Sequence, residues 1–549
     1  MTNKDLTELI FPNINKTIED YNNLYPKRDI KEGARVTRYA PSPTGFIHIG
    51  ALLASFTANV IAKETDGVCY LRIEDTDTKR TVDNGIMNII NGLKEYGVTF
   101  DEGPISETES IGNYGPYIQS ERKEIYHAFI KELLLKDRAY VCFCTPDDLD
   151  NIRKEQESKK DRIGYYGKYA KCRNLSIDEV INRIKNGEDY IIRFKSLGNF
   201  DNKITCKDEI KGELTFPEND IDAVIMKSDG LPTYHFAHIV DDYLMHTTHV
   251  TRGDEWLSSL PLHYDLFKAF GFKIPKYAHI APLAKIDSET GGMRKLSKRK
   301  DPEASMSYYH ELGIPYEAVR LYLATILNSS FEEWYLCNQD KDVDDFKFEF
   351  KKMSKSPALF DLEKLNNISK NYISKLKASK LYEDACIYLN QYDKEFYKLF
   401  TKDKDYSISI LNIEREQKKP RKDIGAYSDI KNNTWYMYDE LFNNFEYEWV
   451  NITNIDEIKL IVNTYFKEYY DINDDKETWF NKVKELCDRL GYASDMKRYK
   501  EDPSKYKGNV ADVSTVIRVF VTSKKETPDL YEILRILGTE RINNRINLL

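Results

Sequence analysis

The sequence lacks several features that would assign it to a simple class of protein. Its 549 residues carry a formal net charge of −9, so the overall charge gives no support for nucleic-acid binding, which would need a local basic patch. No window approaches about 18 consecutive uncharged apolar residues, and we therefore expect no membrane span. The chain also contains no Gly/Ser-rich linker, internal repeat or low-complexity tract.

The first residues and the cysteine content favour a cytoplasmic enzyme. Residues 1–8 include an early acid, Asp5, and no apolar core, unlike a signal peptide. The eight cysteines are then expected to be reduced thiols, with metal ligation left open for a cluster. A composition that is 41% hydrophobic and 31% charged is typical of a globular protein, and the length predicts about three to five domains.

Strand and helix patterns alternate from residue 35 onward. A helical pattern begins at Ile49, an apolar strand follows at 68–73, and helical repeats recur at 86–96 and from about Ser120, a plausible N-cap. This alternation predicts a parallel, doubly wound α/β sheet of the Rossmann type. In such sheets ligands bind beyond the carboxyl ends of the strands.

The alternation breaks near residue 140. Charge increases there, hairpin-like strands at 189–195 and 209–216 indicate an inserted α+β domain, and the strand pattern resumes at 222–227. After residue 301 the chain is mostly helical. The predicted organisation is an N-terminal extension (1–34), a Rossmann-like domain (35–139 and 221–301), an inserted α+β domain (140–220), a helical linker (302–375) and an all-α C-terminal region (376–549).

Residues 38–50, RYAPSPTGFIHIG, form the stretch on which the functional prediction depends. A strand, a turn-rich loop and a helix N-terminus present unpaired backbone N–H groups and the positive end of a helix dipole, which suits a phosphate. The imidazole of His48 stands where the loop meets the helix and can donate to a phosphate oxygen. No Walker lysine follows, so this is not a P-loop.

A second basic loop spans residues 294–300, RKLSKRK. Its five cations suit a loop that folds over a polyphosphate and neutralises charge on a leaving group. A solvated surface turn is the alternative for such a run in isolation.

Together the two loops resemble the signatures of class I aminoacyl-tRNA synthetases. Residues 48–51, HIGA, resemble the first signature, with alanine where the general pattern has a second histidine, and residues 295–299, KLSKR, resemble the second. Longer strings narrow the resemblance to glutamyl-tRNA synthetases of the bacterial type: 38–45 (RYAPSPTG), 72–77 (RIEDTD), 119–122 (QSER), 229–235 (DGLPTYH) and 240–242 (VDD). The resemblance is close over about residues 35–375 and weaker at 527–534. It implies a catalytic domain at 35–139 and 221–301, an acceptor-stem-binding domain at 140–220, a stem-contact linker at 302–375 and an anticodon-binding region at 376–549.

Residues 352–356, KMSKS, match the general form of the second signature better than residues 295–299 do. A phosphate-closing loop must emerge from the nucleotide-binding sheet, and residues 295–299 follow its last predicted strand directly. Residues 352–356 follow two helical segments and lead into what reads as a helix cap. We therefore assign the signature lysine to Lys298 rather than Lys355.

The resemblance implies ATP-dependent attachment of glutamate to tRNA-Glu through a glutamyl-adenylate, with release of AMP and pyrophosphate. ATP with Mg²⁺ is then the substrate complex, and whether tRNA-Gln is a second acceptor is left undecided. We expect a monomer and no membrane partner. The implied residues are His48 and Lys298 for catalysis; Arg38, Ser42, Glu74, Tyr234, His238 and Arg252 for glutamate; and His48, Gly50, Glu255, Trp256, Lys295, Lys298 and Arg299 for ATP.

A glutamate substrate presents two carboxylates and one ammonium, so its site needs cations and an anion. We assign Glu74 to the ammonium, Arg38 and Tyr234 to the side-chain carboxylate, and Arg252 to the carboxyl groups without choosing between them. For each arginine the alternative is a structural ion pair, with an aspartate such as Asp75 or Asp242.

His238 stands four residues after Tyr234, where some relatives have asparagine. A histidine can still donate a hydrogen bond, and its protonation is predicted to tune carboxylate affinity near neutral pH. For Trp256 the alternative to an ATP contact is a buried core position.

Cys142, Cys144 and Cys172 resemble a zinc site found in some relatives. Tetrahedral structural zinc needs a fourth ligand, for which Tyr169 and Cys206 are the candidates, although neither spacing is persuasive. Three buried thiols without a metal are the alternative.

Three other functions are compatible with parts of the sequence. A glutaminyl-tRNA synthetase shares much of the catalytic pattern, but two arginines favour a carboxylate substrate. A synthetase-like RNA-binding protein without catalysis has no need of the full residue set, and a small nucleotidyltransferase would be shorter. In the C-terminal region, residues 415–422 form the densest basic run. Tyrosines at helical spacing there are more often core residues, and stacking on unpaired anticodon bases is the alternative.

Overall fold

The computed structural model describes residues 1–43, 47–77, 82–297, 299–442 and 446–547. The chain forms two compact units, one made of Met1–Tyr308 with Arg320–Asp361 and the other of Tyr309–Val319 with Leu362–Leu549. The finer domain boundaries given above stay predictions.

The strands all belong to the first unit. In chain order they are β1 (Val36–Tyr39), β2 (Val68–Leu71), β3 (Gly103–Pro104), β4 (Ser110–Ile111), β5 (Ala139–Cys142), β6 (Ile191–Phe194), β7 (Lys203–Asp208), β8 (Gly212–Pro217), β9 (Val224–Met226), β10 (His249–Gly253), β11 (Lys276–Ile280), β12 (Leu283–Ile286), β13 (Met293–Lys295) and β14 (Ala358–Leu359), within the part of the chain described.

Most helices of the first unit surround these strands, and α10 and α11 contribute residues to both units. In chain order they are α1 (Asn3–Ile10), α2 (Ile18–Leu24), α3 (Ile49–Lys63), α4 (Gly85–Lys94), α5 (Lys123–Leu135), α6 (Pro146–Lys159), α7 (Ile177–Lys185), α8 (Tyr234–Leu244), α9 (Leu260–Phe270), α10 (Met306–Leu312), α11 (Tyr316–Leu327) and α12 (Phe331–Cys337).

A parallel sheet forms the centre of the first unit. β1 pairs in parallel with β2, β10 with β11, and β11 with β7, while the Thr248 N–H donates to the Val36 carbonyl at 3.0 Å and so joins β10 to β1. α3 packs against β1, β2 and β10, and α5 and α8 share a core with Val36 and Tyr70. Helices therefore cover the sheet, and the Rossmann-like α/β architecture predicted from the alternation is confirmed.

Two adjacent carboxylates on α8 tie this sheet to the helices around it. Asp242 accepts from Arg38 Nε at 3.3 Å and from Arg72 Nη1 at 2.6 Å, and Asp241 accepts from Arg122 Nε at 2.7 Å. All five side chains are buried. Arg38 lies in β1, Arg72 follows β2 and Arg122 precedes α5, so the pair on α8 connects four segments of the fold.

The strand predicted at 222–227 exists as β9, but it does not belong to the parallel sheet. β9 pairs antiparallel with β6, which in turn pairs antiparallel with β5. β5 and β9, which lie at the start and after the end of the inserted segment, both pair with β6 of that segment. Apolar periodicity identifies a strand but not its partner, so the sequence could not reveal this arrangement.

Two local predictions were wrong because side chains bind backbone groups nearby. The predicted strand 209–216 is interrupted at its start, because the Asp208 carboxylate accepts the N–H groups of Ile210 and Lys211 and forms a turn between β7 and β8. Ser120 does not cap α5, which begins at Lys123, because its hydroxyl donates to Asp75 Oδ2 at 2.6 Å.

The second unit is all helical in the residues described, as predicted for the C-terminal region. Its helices are α13 (Leu362–Lys375), α14 (Ala378–Tyr392), α15 (Lys394–Lys402), α16 (Lys404–Asn412), α17 (Asp429–Thr434), α18 (Asp439–Phe442), α19 (Ile455–Thr464), α20 (Lys476–Leu490), α21 (Met496–Glu501), α22 (Val510–Thr522) and α23 (Leu530–Ile546).

Much of the aromatic and basic content of the second unit is structural. Tyr382, Tyr436 and Tyr465 belong to its hydrophobic core. Arg415, in the basic run 415–422, is buried and donates to the Ile373 carbonyl at 2.6 Å, and burial lowers its pKa to about 10. Among the described residues, no helix combines the length and apolar character that crossing a membrane would require.

Candidate active site

A cavity of about 570 Å³ lies at the carboxyl ends of β1, β10 and β11. This is the edge of the sheet where the alternation predicts a ligand. Its walls include ten residues predicted from the sequence: Arg38, Ser42, His48, Gly50, Glu74, Tyr234, Arg252, Glu255, Trp256 and Lys295. The structure therefore brings together side chains that are separated by more than 200 residues in the chain.

His48 caps the N-terminus of α3 at the cavity wall. Its Nδ1 accepts the Ala51 N–H at 3.0 Å, so the ring proton of the neutral imidazole is on Nε2. A Cβ at residue 50 would lie 3.0 Å from this Nδ1, which explains why glycine suits the position. This tautomer places the proton on Nε2, the nitrogen from which the prediction expects a hydrogen bond to a phosphate oxygen. Residues 44–46 of the same loop lie outside the described residues.

Glu74 brings a negative charge to the cavity. It follows β2, its backbone N–H donates to the Pro41 carbonyl at 2.9 Å, and its Oε1 accepts from Arg72 Nη2 at 3.1 Å. Burial raises the pKa of its carboxyl, while the charges of Arg72 and Arg38 act in the opposite direction.

Arg38 combines a structural contact with a position on the cavity wall. In addition to its contact with Asp242, its Nη1 donates to the Thr251 carbonyl at 3.1 Å. The structural ion pair considered above thus exists for Asp242, whereas Asp75 is engaged by Ser120. The attraction of Asp242 outweighs burial and raises the pKa of Arg38.

Arg252 and two aromatic residues form another part of the wall. Arg252 Nη1 donates to the Tyr234 hydroxyl at 3.2 Å, and the Tyr234 ring lies 4.2 Å from that of Trp256. Arg252 differs from Arg38 in that no carboxylate of the described residues forms an ion pair with it. Tyr234 is close enough to Arg252, Glu74 and Arg38 for all three charges to act on its pKa, which burial raises.

The β12–β13 hairpin carries Lys295 to the cavity. Lys295 Nζ lies 3.1 Å from Glu255 Oε1, and both residues were predicted to bind ATP. The base of the basic loop is closed by Asp301, which accepts from Arg294 Nη1 at 2.6 Å and from the Ser297 N–H at 2.9 Å. Lys298 lies outside the described residues, and Arg299 is exposed away from the cavity wall.

His238 lies behind the wall rather than on it. Its Nε2 is 3.0 Å from the Tyr277 hydroxyl, its Nδ1 is 2.8 Å from Asp242 Oδ2, and its ring stacks on Tyr234. Full burial lowers its pKa to about 3, even though Asp242 opposes the shift. The prediction that His238 titrates near neutral pH is therefore wrong, because desolvation dominates at this position.

Residues 352–356, the rejected match to the second signature and here called the decoy segment, lead into a short strand rather than a helix cap. Residues 358–359, read as part of a helix cap, form β14, which runs parallel to β12. The Lys355 side chain is exposed, its carbonyl accepts from Lys211 Nζ at 2.6 Å, and the residue is not on the wall of the large cavity.

Several wall residues carry no sequence signal of function. Residues 280–283, Leu296 and Ala304 form apolar parts of the wall. Their apolar side chains cannot be told from core residues in the sequence. Only their positions at the end of β11 and after β13 place them at a ligand-binding edge.

The three cysteines of the inserted segment also meet. Their Sγ atoms lie within 4.8 Å of one another, with Cys144 and Cys172 3.7 Å apart. The Tyr165 hydroxyl lies 3.4 Å from Cys142 Sγ and 3.3 Å from Cys144 Sγ. The two predicted candidates for a fourth ligand are elsewhere: the Tyr169 hydroxyl donates to Asp161 at 2.6 Å, and Cys206 belongs to a different core.

Comparison with known proteins defines the class. Residues 35–367 match the family model described as tRNA synthetases class I (E and Q), catalytic domain. The glutamate–tRNA ligase of Clostridium perfringens (strain 13 / Type A) is 49% identical over 549 residues, which cover 100% of both chains. That of Acetivibrio thermocellus is 46% identical over 550 residues, again covering 100% of both. The crystal structure of glutamate-tRNA synthetase from Elizabethkingia anophelis aligns with a TM-score of 0.74 and 27% identity, covering 94% of this chain and 99% of that one.

The chain therefore belongs to the class I tRNA synthetases, and within them to the glutamate–tRNA ligases. It attaches glutamate to tRNA at the expense of ATP. The family resemblance and the activity it implied are confirmed.

The capping role of His48 makes a prediction about stability. His48→Ala removes the acceptor for the Ala51 N–H and should cost about 1 kcal/mol of unfolding free energy. His48→Asn supplies a favoured N-cap acceptor and should stay close to wild type. Urea unfolding of the two variants tests this, and equal losses in both would contradict the capping role.

Proposed function

We propose that the cavity binds glutamate and ATP next to each other, so that the amino-acid carboxylate meets the α-phosphate. The observation that supports this best is the grouping of charges on the wall. The charges of Glu74, Arg38 and Arg252 all act on the pKa of Tyr234, which burial raises. Burial also raises the pKa of Glu255, but its own backbone N–H and the neighbouring Lys295 outweigh burial and lower it. His48 lines the same part of the wall as Glu255 and Lys295.

The first group is complementary to glutamate. Glu74 pairs with the ammonium, Arg38 and Tyr234 with the side-chain carboxylate, and Arg252 with a carboxylate of the substrate. Ser42 adds a hydroxyl to the same wall. The side-chain amide of glutamine carries no charge, so the cation that faces it would have no anionic partner. An unpaired cation in a desolvated site is unfavourable, and this supports glutamate as the substrate.

The second group suits the nucleotide. His48 Nε2–H and the first N–H groups of α3 donate to phosphate oxygens, with Gly50 allowing close approach. Glu255, Trp256 and Lys295 line the same region, and Mg²⁺ arrives with ATP. Lys298 and Arg299 close over the pyrophosphate from the basic loop. Each well-placed donor is worth about 3–4 kcal/mol of transition-state stabilisation.

Adenylate formation in this site needs positioning more than covalent help from the protein. The glutamate α-carboxylate attacks the α-phosphate, and pyrophosphate leaves. Negative charge develops on the pyrophosphate, and His48, Lys298 and the Mg²⁺ that arrives with ATP would stabilise it. The acyl group then passes to the terminal ribose of the tRNA, by attack of its 2′-hydroxyl on the adenylate carbonyl, and AMP leaves.

Broader assignments of segments, acceptor, oligomeric state and location accompany this mechanism. The inserted segment 140–220 contacts the acceptor stem, the linker 302–375 contacts the tRNA body, and residues 376–549 contact the anticodon. The acceptor is tRNA-Glu, and the enzyme is monomeric. A cytoplasmic location is supported by the cysteines, all eight of which are free thiols.

Pyrophosphate exchange distinguishes the two candidate lysines and the two candidate amino acids. In the presence of tRNA, wild-type enzyme should exchange with glutamate and not with glutamine. Lys298→Ala should lose about 100-fold or more of this activity, because a charge on the leaving group is left uncompensated. Lys355→Ala, the matched control in the decoy segment, should retain it.

Two results would contradict the proposal. Exchange with glutamine would favour the glutaminyl-tRNA synthetase alternative. If Lys355→Ala lost the exchange activity and Lys298→Ala retained it, residues 352–356 rather than 295–299 would be the second signature. Charging of tRNA-Glu and tRNA-Gln with glutamate then decides whether one or both are acceptors.

We further propose that Cys142, Cys144, Cys172 and Tyr165 hold a structural zinc ion. A Zn–S distance of about 2.3 Å places tetrahedral sulfur ligands roughly 3.8 Å apart and an oxygen ligand roughly 3.5 Å from each sulfur. The observed distances of 3.7 Å between Cys144 and Cys172, and 3.3 and 3.4 Å from Tyr165 to Cys144 and Cys142, fit this geometry.

Metal analysis tests the zinc site. Enzyme purified without added zinc should contain about one zinc ion per chain, and Cys172→Ser should lose it. Tyr165→Phe should weaken retention against a chelator, while the matched control Tyr169→Phe should not. A metal-free wild-type enzyme, or equal effects of the two tyrosine variants, would contradict the assignment.

A further inference from the structure

Arg252 is surrounded by uncharged hydrogen-bond acceptors. Its Nε donates to His279 Nε2 at 3.0 Å, and its Nη1 and Nη2 each lie 3.3 Å from His263 Nδ1. Two further hydrogen bonds go to the Tyr234 hydroxyl at 3.2 Å and to the Trp256 carbonyl at 3.4 Å, and the guanidinium carbon lies 4.8 Å from the centroid of the Tyr277 ring. The guanidinium is thus oriented from several directions, and none of these contacts among the described residues is to a carboxylate.

This environment differs from that of the other buried arginines around the sheet. Arg38 and Arg122 each form an ion pair with one of the two α8 carboxylates, and Arg72 pairs with both. Arg252 forms none with any carboxylate in the described parts of the chain, and it lines the cavity. Its charge therefore stays available for a substrate anion, because an internal carboxylate would otherwise compete for the same donors.

The direction of each hydrogen bond follows from the chemistry of arginine, which only donates. His279 Nε2 must accept, so the proton of its neutral ring is on Nδ1, which donates to Asp208 Oδ2 at 2.6 Å. Asp208 is itself held by the N–H groups of Ile210 and Lys211, which form the turn between β7 and β8. A turn in the hairpin thereby determines the tautomer of a histidine that orients Arg252.

The second histidine continues the same pattern. His263 Nδ1 accepts from Arg252, so His263 Nε2 carries the proton and donates to His235 Nδ1 at 3.0 Å. Burial lowers the pKa of both His263 and His279, and Arg252 contributes to each shift, although Asp208 opposes the shift of His279. Both rings are fully buried and neither lines the cavity.

We propose that His279 and His263 are positioning residues for glutamate binding, which hold Arg252 as neutral acceptors while Asp208 sets the tautomer of His279. This inference rests on the proposed role of Arg252 as a partner of a glutamate carboxylate. Neutral histidines fix the position of the Arg252 cation and leave its charge in place. A carboxylate at either histidine position would neutralise that charge.

The test compares two substitutions that differ in one hydrogen-bond acceptor. His279→Leu removes the acceptor for Arg252 Nε and should raise the KM for glutamate by about 10- to 100-fold, because the guanidinium is no longer oriented. His279→Gln retains an uncharged acceptor and should recover most of the loss. The KM for ATP should change little in both variants.

His249→Leu is the matched control. His249 is another buried histidine of the parallel sheet, but its ring stacks on Phe350 and its Nδ1 lies 2.9 Å from the Thr248 hydroxyl, away from Arg252. The KM for glutamate should be unchanged in this variant. An equal rise in His249→Leu and His279→Leu would indicate a general loss of packing and overturn the proposal.

Arg252→Met separates this inference from the function on which it rests. If Arg252→Met leaves the KM for glutamate unchanged, the proposed role of Arg252 fails. If Arg252→Met raises it but His279→Leu does not, only the positioning role is overturned. Histidine-selective ¹⁵N NMR of the wild-type enzyme needs no variant: Nδ1–H on His279 and Nε2–H on His263 are expected, and a doubly protonated ring at either position near pH 7.5 would overturn the proposal.

Discussion

The buried carboxylate pair on α8 is the constraint on which the rest of the active site depends. Two adjacent anions without solvent are tolerated only when each is paired and hydrogen-bonded. Asp242 and Asp241 meet this condition through arginines that come from β1, from the end of β2 and from the start of α5. The same segments carry Arg38 and Glu74 into the cavity, so the ion pairs that stabilise the sheet also set the spacing of groups that we propose bind glutamate.

The site divides its arginines between two tasks. Those paired with the α8 carboxylates hold segments together, and removal of either partner would leave a buried charge uncompensated. Arg252 is held instead by imidazole, hydroxyl and carbonyl groups. Neutral acceptors orient a guanidinium while leaving its charge in place, and in a desolvated cavity that charge is a strong determinant of which substrate binds.

Much of the fold could be predicted from the sequence because its elements have strong local signals. The apolar periods that precede and follow residues 38–50 predicted β1, α3 and β2, and the turn-rich loop predicted where a ligand would bind. The wall of the cavity contains most of the residues assigned from the family strings, among them Glu74, Tyr234 and Arg252.

Predictions failed where tertiary contacts decide the outcome. His238 was expected to titrate near neutral pH, but burial behind Tyr234 prevents this. Tyr165 rather than Tyr169 adjoins the cysteines, because the fold of the inserted segment and not chain spacing determines which hydroxyl points inward. The partner of β9 and the histidines behind Arg252 likewise depend on contacts between residues distant in the chain.

The most direct test of this account is a crystal structure of the enzyme with a non-hydrolysable analogue of glutamyl-adenylate. The account predicts a carboxylate oxygen of the glutamyl group about 2.7–3.0 Å from the Arg252 guanidinium, with Arg252 still bound to His279 and Arg38 still paired with Asp242. A complex in which Arg252 makes no contact with the glutamyl group, while another cation binds its carboxylate, would contradict it.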